Sequence, residues 1–193
     1  FVFLHKPACT GEGLDALNNG LELMELLVKY NVTAVFQGHN HLYYFEKVNN
    51  TCFYVTGGAG APIYASEKSG GYHHFLIVTV NGSKVDVQFL PIPALEWTKE
   101  NNSIKVKYLF KGVLLFKRGD YYWNATAKPL LLQGIVFNVN SPNVSVEGGD
   151  LWKIVSENGY KVYVSVVLNP GEERTISVKR LGNILIIFGG EYS

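Results

Sequence analysis

The chain has 193 residues, of which 47% are hydrophobic and 17% are charged, and its formal net charge is +1. A charge this close to zero excludes the electrostatic footprint of a protein that binds nucleic acid or an anionic membrane surface. No apolar run reaches the length of about 18 residues that a transmembrane helix needs, so we expect no membrane span. The low charge and the 13% of aromatic residues favour a β-rich structure.

The first elements in chain order are two apolar strands that each end near histidine. Residues 1–4 form the first strand, and His5 follows it. A helix with an apolar stripe is predicted from residue 14 or 20 to residue 30, and a second strand covers residues 32–36. The motif Gly38-His39-Asn40-His41 comes directly after that strand. A strand, a helix and a strand in this order form a crossover, which makes the strands parallel and brings their ends to one edge.

Two interpretations of the histidines are open. The H-x-H pair alone is also typical of a polar hairpin loop, because imidazole is only one of several ligand types. The third histidine favours a metal site, since the crossover lets His5, His39 and His41 converge. His73 and His74 alternate between the faces of one strand, so at most one can face a given site, and we expect a structural or rim role for both.

Val2-Phe3-Leu4-His5 and Gly38-His39-Asn40-His41 resemble the V-x-x-H and G-H-x-H motifs of the calcineurin-like metallophosphoesterases. The segments from Val55 to Ala61 and from Gly70 to Phe75 are similar to the closing strands of the purple-acid-phosphatase-like members. The resemblance covers about the first half of the chain. It implies an α/β fold, namely the C-terminal part of an αββα sandwich.

The resemblance also implies a cofactor and an activity. Two divalent or trivalent metal ions (Fe, Mn or Zn) would lie at the site, with His5 and His39 on one ion and His41 on the other. The reaction would be the hydrolysis of a phosphoester, either a phosphatase or a phosphodiesterase activity.

The motifs that precede V-x-x-H in that family (D-x-H, G-D-x-x-D or G-D-x-x-Y, and G-N-H-D or G-N-H-E) do not occur in this chain. Gly119-Asp120-Tyr121-Tyr122-Trp123 is the nearest match, but it lies downstream and is rejected. We therefore expect the catalytic residues in an N-terminal half, supplied by the same protein or by a separate complementing chain. This chain alone is expected to be inactive.

Two domains are predicted. Residues 1–92 form the C-terminal half of a metallophosphoesterase domain, and residues 93–193 form an all-β, Ig-like sandwich. The second domain contains no His and no Cys, so we expect it to serve packing, adhesion or assembly. A homo-oligomer or a surface assembly is left open. The alternative function is therefore a structural protein of the cell surface or of a filament, with a metallophosphoesterase-like fold and little or no catalysis.

The density of N-x-[ST] sequons indicates a secreted or cell-surface glycoprotein. A further sequon, at Asn31, abuts a predicted buried strand. The expected glycosylation sites are Asn49, Asn81, Asn101, Asn124 and Asn143. Cys9 and Cys52 could form a disulfide in an extracellular compartment, and the alternative is two buried or free thiols.

Overall fold

The computed structural model describes residues 1–8, 11 and 13–181, which contain one α-helix, one 3-10 helix and fifteen strands. The helix α1 is Gly20–Lys29, and the 3-10 helix is Glu67–Ser69. The strands are β1 (Val2–Leu4), β2 (Ala34–Gln37), β3 (Tyr43–Val48), β4 (Thr51–Thr56), β5 (His74–Asn81), β6 (Lys84–Pro91), β7 (Leu95–Glu100), β8 (Ser103–Tyr108), β9 (Val113–Arg118), β10 (Tyr121–Thr126), β11 (Leu130–Val139), β12 (Val144–Glu147), β13 (Leu151–Ser156), β14 (Tyr160–Leu168) and β15 (Glu173–Arg180). Neither helix in this part of the chain is long and apolar enough to cross a membrane.

The chain divides into two compact units. Unit 1 comprises Phe1–Ala94 together with Phe110–Lys128, and unit 2 comprises Leu95–Leu109 together with the described residues from Pro129 onward. The hairpin of β9 and β10 therefore belongs with the histidine motifs, although it lies downstream of β7 and β8 in the sequence.

Unit 1 is built on a four-stranded sheet with the order β1-β2-β4-β3. Strands β1, β2 and β4 are parallel, and β3 pairs with β4 as an antiparallel hairpin. All four residues of β2 are buried, as expected for an apolar strand with a neighbour on each side. The predicted crossover through α1 is confirmed, because β1 and β2 are parallel neighbours with Leu4 opposite Gln37.

An aromatic cluster forms a core of unit 1 beside this sheet. The Tyr44 and Trp123 rings lie 5.0 Å apart between centroids, and Phe116 stacks on Trp123 at 5.4 Å. Tyr43 packs against Phe89 at 4.5 Å. These rings come from β3, β6, β9 and β10, so the cluster ties both later hairpins to the sheet.

The predicted α/β fold, an αββα sandwich, is wrong. The described residues are 54% strand and only 7% helix, and their strands form several small sheets. The crossover through α1 is the one α-helical connection between strands of the described residues. Several consecutive strands are instead joined by turns, such as those at Asn49 and Gly82, where the backbone has positive φ. Turns of this length connect antiparallel strands and leave no room for covering helices.

Unit 2 is a pair of antiparallel sheets. One has the order β12-β15-β8-β7 and the other β11-β14-β13. Alternate residues of β14 are buried, so one face of that sheet is apolar. A Cβ built on Gly149 would touch Val164 of one sheet and Val146 of the other, which shows that the sheets face each other there, as in a β-sandwich.

Three strands were not predicted from the sequence, namely β7, β10 and β13. Strand β7 is mostly exposed and carries charged residues, so it lacks the apolar alternation that marks a half-buried strand. The sequence also predicts a strand at residues 184–188, which lies outside the described residues.

Two leucines of unit 2, one buried and one exposed, allow a matched test of its core. Leu168 is fully buried on β14, whereas Leu151 on β13 is 73% exposed. We expect Leu168→Ala to lower the free energy of unfolding by about 2–5 kcal/mol, because it removes buried methyl groups and leaves a cavity. Leu151→Ala should change it by less than about 0.5 kcal/mol. Urea denaturation of both variants measures the difference, and equal effects would contradict the described burial.

Candidate functional site

Hydrogen bonds at the ends of β1 and β2 place His5 beside His39. The Gly38 amide donates to the His5 carbonyl oxygen at 2.9 Å. The Ala8 amide donates to Oε1 of the buried Gln37 at 2.6 Å. His39 itself has a φ of 64°, a left-handed conformation that is uncommon for a residue with a side chain. Strain of this kind is typical of functional sites, where the surrounding contacts hold the backbone.

The two histidine rings meet edge to face. His39 Nδ1 lies 3.2 Å from His5 Nε2, and His39 Nε2 lies 2.7 Å from Asp15 Oδ2. A carboxylate can only accept, so His39 Nε2–H donates to Asp15. In the neutral ring the lone pair is then on Nδ1 and points toward His5. Asp15 thus fixes the tautomer of His39 in the way that outer carboxylates orient metal-ligating histidines.

Asp15 is held by contacts on several sides. Lys6 Nζ lies 2.6 Å from Asp15 Oδ1. The Asp15 amide donates to Asn40 Oδ1 at 3.0 Å, and Asn40 Nδ2 donates to the Asp15 carbonyl oxygen at 3.2 Å. The hydrogen bonds from Lys6 and then His39 hold the pKa of Asp15 below its usual value. Sequence reasoning missed this residue, although a carboxylate in the loop between two histidine-ended strands was an available signal.

His41 is held by the loop that contains Pro62 and Tyr64. Its Nδ1 lies 2.7 Å from the Pro62 carbonyl oxygen, which can only accept, so Nδ1 carries the proton. The lone pair of the neutral ring is then on Nε2. Tyr64 stacks on His41 with 5.5 Å between ring centroids and 21° between the planes. Both contacts come from one loop and fix the orientation of the ring.

His39 and His41 line one open cleft of about 660 Å³. Tyr64 also lines this histidine cleft, as do Lys117 and Arg118 of β9. The Arg118 guanidinium donates from Nη2 to the Gly13 carbonyl oxygen at 2.7 Å, which ties the hairpin to the loop after β1. Sequence reasoning missed the two cations, because they follow the histidine motifs by more than seventy residues.

Two of the three histidines fit a shared metal ion. Two nitrogens bound to one tetrahedral Zn²⁺ at about 2.0–2.1 Å lie about 3.3 Å apart. The 3.2 Å between His5 Nε2 and His39 Nδ1 is a hydrogen bond between the two rings, and the same distance agrees with that spacing. However, the described residues contain no group of three or more His, Cys, Asp or Glu side chains arranged to hold a metal ion. The chain's own described residues therefore fit one part of a metal site.

Glycine is required under the histidine motif. A Cβ on Gly57 would overlap the Asn40 carbonyl oxygen, and a Cβ on Gly58 would overlap the Tyr72 carbonyl oxygen and the His74 ring. The glycine-rich segment after β4 therefore passes directly beneath the site.

His73 and His74 are engaged elsewhere. His73 Nδ1 lies 3.0 Å from the Gly58 carbonyl oxygen. His74 is fully buried, with Nδ1 at 2.8 Å from the Tyr72 carbonyl oxygen and Nε2 at 3.1 Å from Thr56 Oγ1. Both ring nitrogens of His74 thus have protein partners, which agrees with the structural role expected for it.

The remaining predicted sites are distributed over the chain. The five asparagines expected to carry glycan are all exposed. Cys52 lies half-buried on β4, whereas Cys9 lies outside the described residues, so the disulfide stays a prediction.

Comparison of the chain with protein-family models, with curated proteins and with solved structures found no match.

The burial of His74 predicts that the free energy of unfolding depends on pH. Desolvation lowers the pKa of His74 below its ordinary value of 6.5. His74 therefore takes up a proton at a higher pH in the unfolded chain than in the folded chain. The stability contributed by the neutral ring is complete above about pH 6.5 and is lost as the pH falls toward the lower, folded-state pKa. We expect the free energy of unfolding to fall between pH 7.5 and pH 5.

His74→Gln should reduce this pH dependence, measured by urea denaturation at several pH values. His73→Gln is the matched control, because His73 is the sequence neighbour of His74 and is exposed, and this variant should keep the wild-type slope. A slope that is the same in His74→Gln as in the wild type would contradict the assignment.

Proposed function

We propose that this chain is part of a metal-dependent phosphoester hydrolase that resembles the calcineurin-like metallophosphoesterases. The observation that carries the proposal is the pair of nitrogens, His5 Nε2 and His39 Nδ1, that face each other at 3.2 Å. They lie at the ends of adjacent parallel strands, and Asp15 sets the tautomer of His39. The two histidines come from the two motifs on which the resemblance rests.

In the proposed site, His5 and His39 hold one metal ion and His41 contributes to a second. The ions, of Fe, Mn or Zn, would supply Lewis acidity for the phosphoryl oxygens and for water. Asp15 orients His39, and the Pro62 carbonyl oxygen orients His41. Lys117 and Arg118 on the cleft wall attract the anionic substrate.

The proposal requires a partner that supplies carboxylate ligands. The described residues do not assemble a full ligand set, and β1 lies at the edge of its sheet. Phe1 and Phe3 on this edge are 54% and 74% exposed, and they border an apolar groove with Phe75 and Val78 of β5. A polypeptide that pairs with β1 would cover these rings. We propose that this partner is the N-terminal half of the same protein or a separate complementing chain.

We further propose that the protein works outside the cell or on its surface. The exposure of the five sequon asparagines supports this, because oligosaccharide transfer needs an accessible side chain.

Metal binding tests the core of the proposal. Titration of the chain with Zn²⁺ in a calorimeter should give a binding event that needs His5 and His39. We expect His39→Ala to weaken this binding at least about 10-fold, and Asp15→Asn to weaken it by about 10- to 100-fold through loss of orientation. His73→Ala is the control and should bind as the wild type does. Equal affinity of wild type and His39→Ala would contradict the proposed site.

Hydrolysis tests the need for a complement. The chain alone should not hydrolyse p-nitrophenyl phosphate, because the described residues lack the bridging carboxylate. Co-expression with a segment that contains the D-x-H, G-D-x-x-D or G-D-x-x-Y, and G-N-H-D or G-N-H-E motifs should restore turnover, and His41→Ala should abolish it again. Absence of both metal binding and turnover in the complex would favour the alternative function, a structural protein of a surface layer or filament.

Glycosylation tests the compartment. Intact-mass measurement of the native protein should exceed the polypeptide mass, with glycan on one or more of Asn49, Asn81, Asn101, Asn124 and Asn143. Enzymatic deglycosylation is the control and should return the polypeptide mass. A native mass equal to that of the bare polypeptide would contradict the extracellular assignment.

A further inference from the structure

Tyr64 presents an open aromatic face at the rim of the histidine cleft. The side chain is 81% exposed, yet one ring face stacks on His41 at 5.5 Å. The same loop accepts a hydrogen bond from His41 through the Pro62 carbonyl oxygen. Two contacts between this loop and the His41 imidazole therefore hold Tyr64 next to the candidate site. The other face of the Tyr64 ring remains in solvent.

The charge on the cleft lining has one sign. Lys117 and Arg118 contribute cations from β9, and within the described part of the chain none of the lining side chains is a carboxylate. The hydrogen bond to the Gly13 carbonyl oxygen anchors Arg118 at 2.7 Å, and the ammonium of Lys117 lies 5.0 Å from the centre of the Tyr122 ring. These contacts restrain two residues that line the cleft, so their ordering on binding an anion costs less conformational entropy than for free side chains.

A ligand that is complementary to the lining of this cleft has an anionic end and a planar aromatic end. The cleft volume of about 660 Å³ lies within the range of about 300–1,000 Å³ that is usual for small-molecule sites. An aliphatic ester would leave the open face of Tyr64 in water, whereas an aromatic ring would stack on it. Arginine and lysine attract a phosphate, and the arginine fork also matches its oxygens.

We propose that the histidine cleft selects phosphate esters with an aromatic leaving group. Tyr64 stacks on the aromatic ring, and Lys117 and Arg118 attract the phosphate beside His39 and His41. This inference rests on the proposed function for the position of the phosphate, but the stacking and the charge attraction need no turnover and no metal.

Binding of two phosphonates that are not hydrolysed tests the inference. Phenylphosphonate and methylphosphonate carry the same charged group and differ in the ring. By calorimetry, with EDTA present, the wild-type chain should bind phenylphosphonate about 2- to 12-fold more tightly, the range expected for an aromatic pair. Tyr64→Ala should remove this preference. Tyr30→Ala is the matched control, because Tyr30 is 70% exposed on the end of α1 and should leave the preference unchanged.

A second variant tests the charge. Lys117→Ala should weaken the binding of both phosphonates by the same factor, so the ratio of the two affinities stays unchanged. Lys84 is an exposed lysine of β6, and Lys84→Ala should weaken the binding of neither phosphonate. Equal affinity of the wild type for the two phosphonates, absence of measurable binding, or a preference that survives Tyr64→Ala would each overturn the inference. These outcomes are independent of turnover, so a preference for phenylphosphonate in a complex that hydrolyses nothing would keep the inference and reject the proposed function.

Discussion

The candidate site depends on the hydrogen bond from the Gly38 amide to the His5 carbonyl oxygen, at 2.9 Å. Strand β1 spans three residues at the edge of its sheet, so few other backbone bonds hold its end. The contact between Gln37 and the Ala8 amide fixes the chain on the far side of His5. Between these two bonds His5 has little freedom, and His39, one residue after Gly38, meets its ring. Because Gln37 is buried, this hydrogen bond satisfies a polar atom in the core.

The partners of the histidines distinguish candidate ligands from structural residues. His39 and His41 each have one nitrogen on an oxygen that only accepts, from Asp15 and Pro62 respectively. Each neutral ring therefore offers a lone pair on its other nitrogen. His74 instead has oxygen partners at both nitrogens, from Thr56 and Tyr72, and is fully buried. The hydrogen-bond partners and the burial, rather than the residue type, thus separate His74 from His39 and His41.

The local parts of unit 1 could be predicted from the sequence, and the long-range parts could not. Apolar runs and a helical stripe identified β1, α1 and β2, and the crossover rule then brought His5 and His39 to one edge. The α/β sandwich that the family resemblance implied is wrong, because the strands after β2 pair through short turns. Asp15 was missed because its role depends on the ring it meets, and a lone carboxylate in a loop has no periodicity.

The cleft combines a part that is local in sequence with a part that is remote. Its histidine side comes from one crossover, whereas its cationic side comes from β9, after the chain has passed through β7 and β8 of unit 2. Arg118 and Gly13 are 105 residues apart in sequence and joined by one hydrogen bond. Pattern reasoning works within windows of a few turns or strands, so it finds the first side and not the second. The histidines that we propose as metal ligands are thus encoded in motifs, while the cations that we propose to attract a substrate are placed by the tertiary fold.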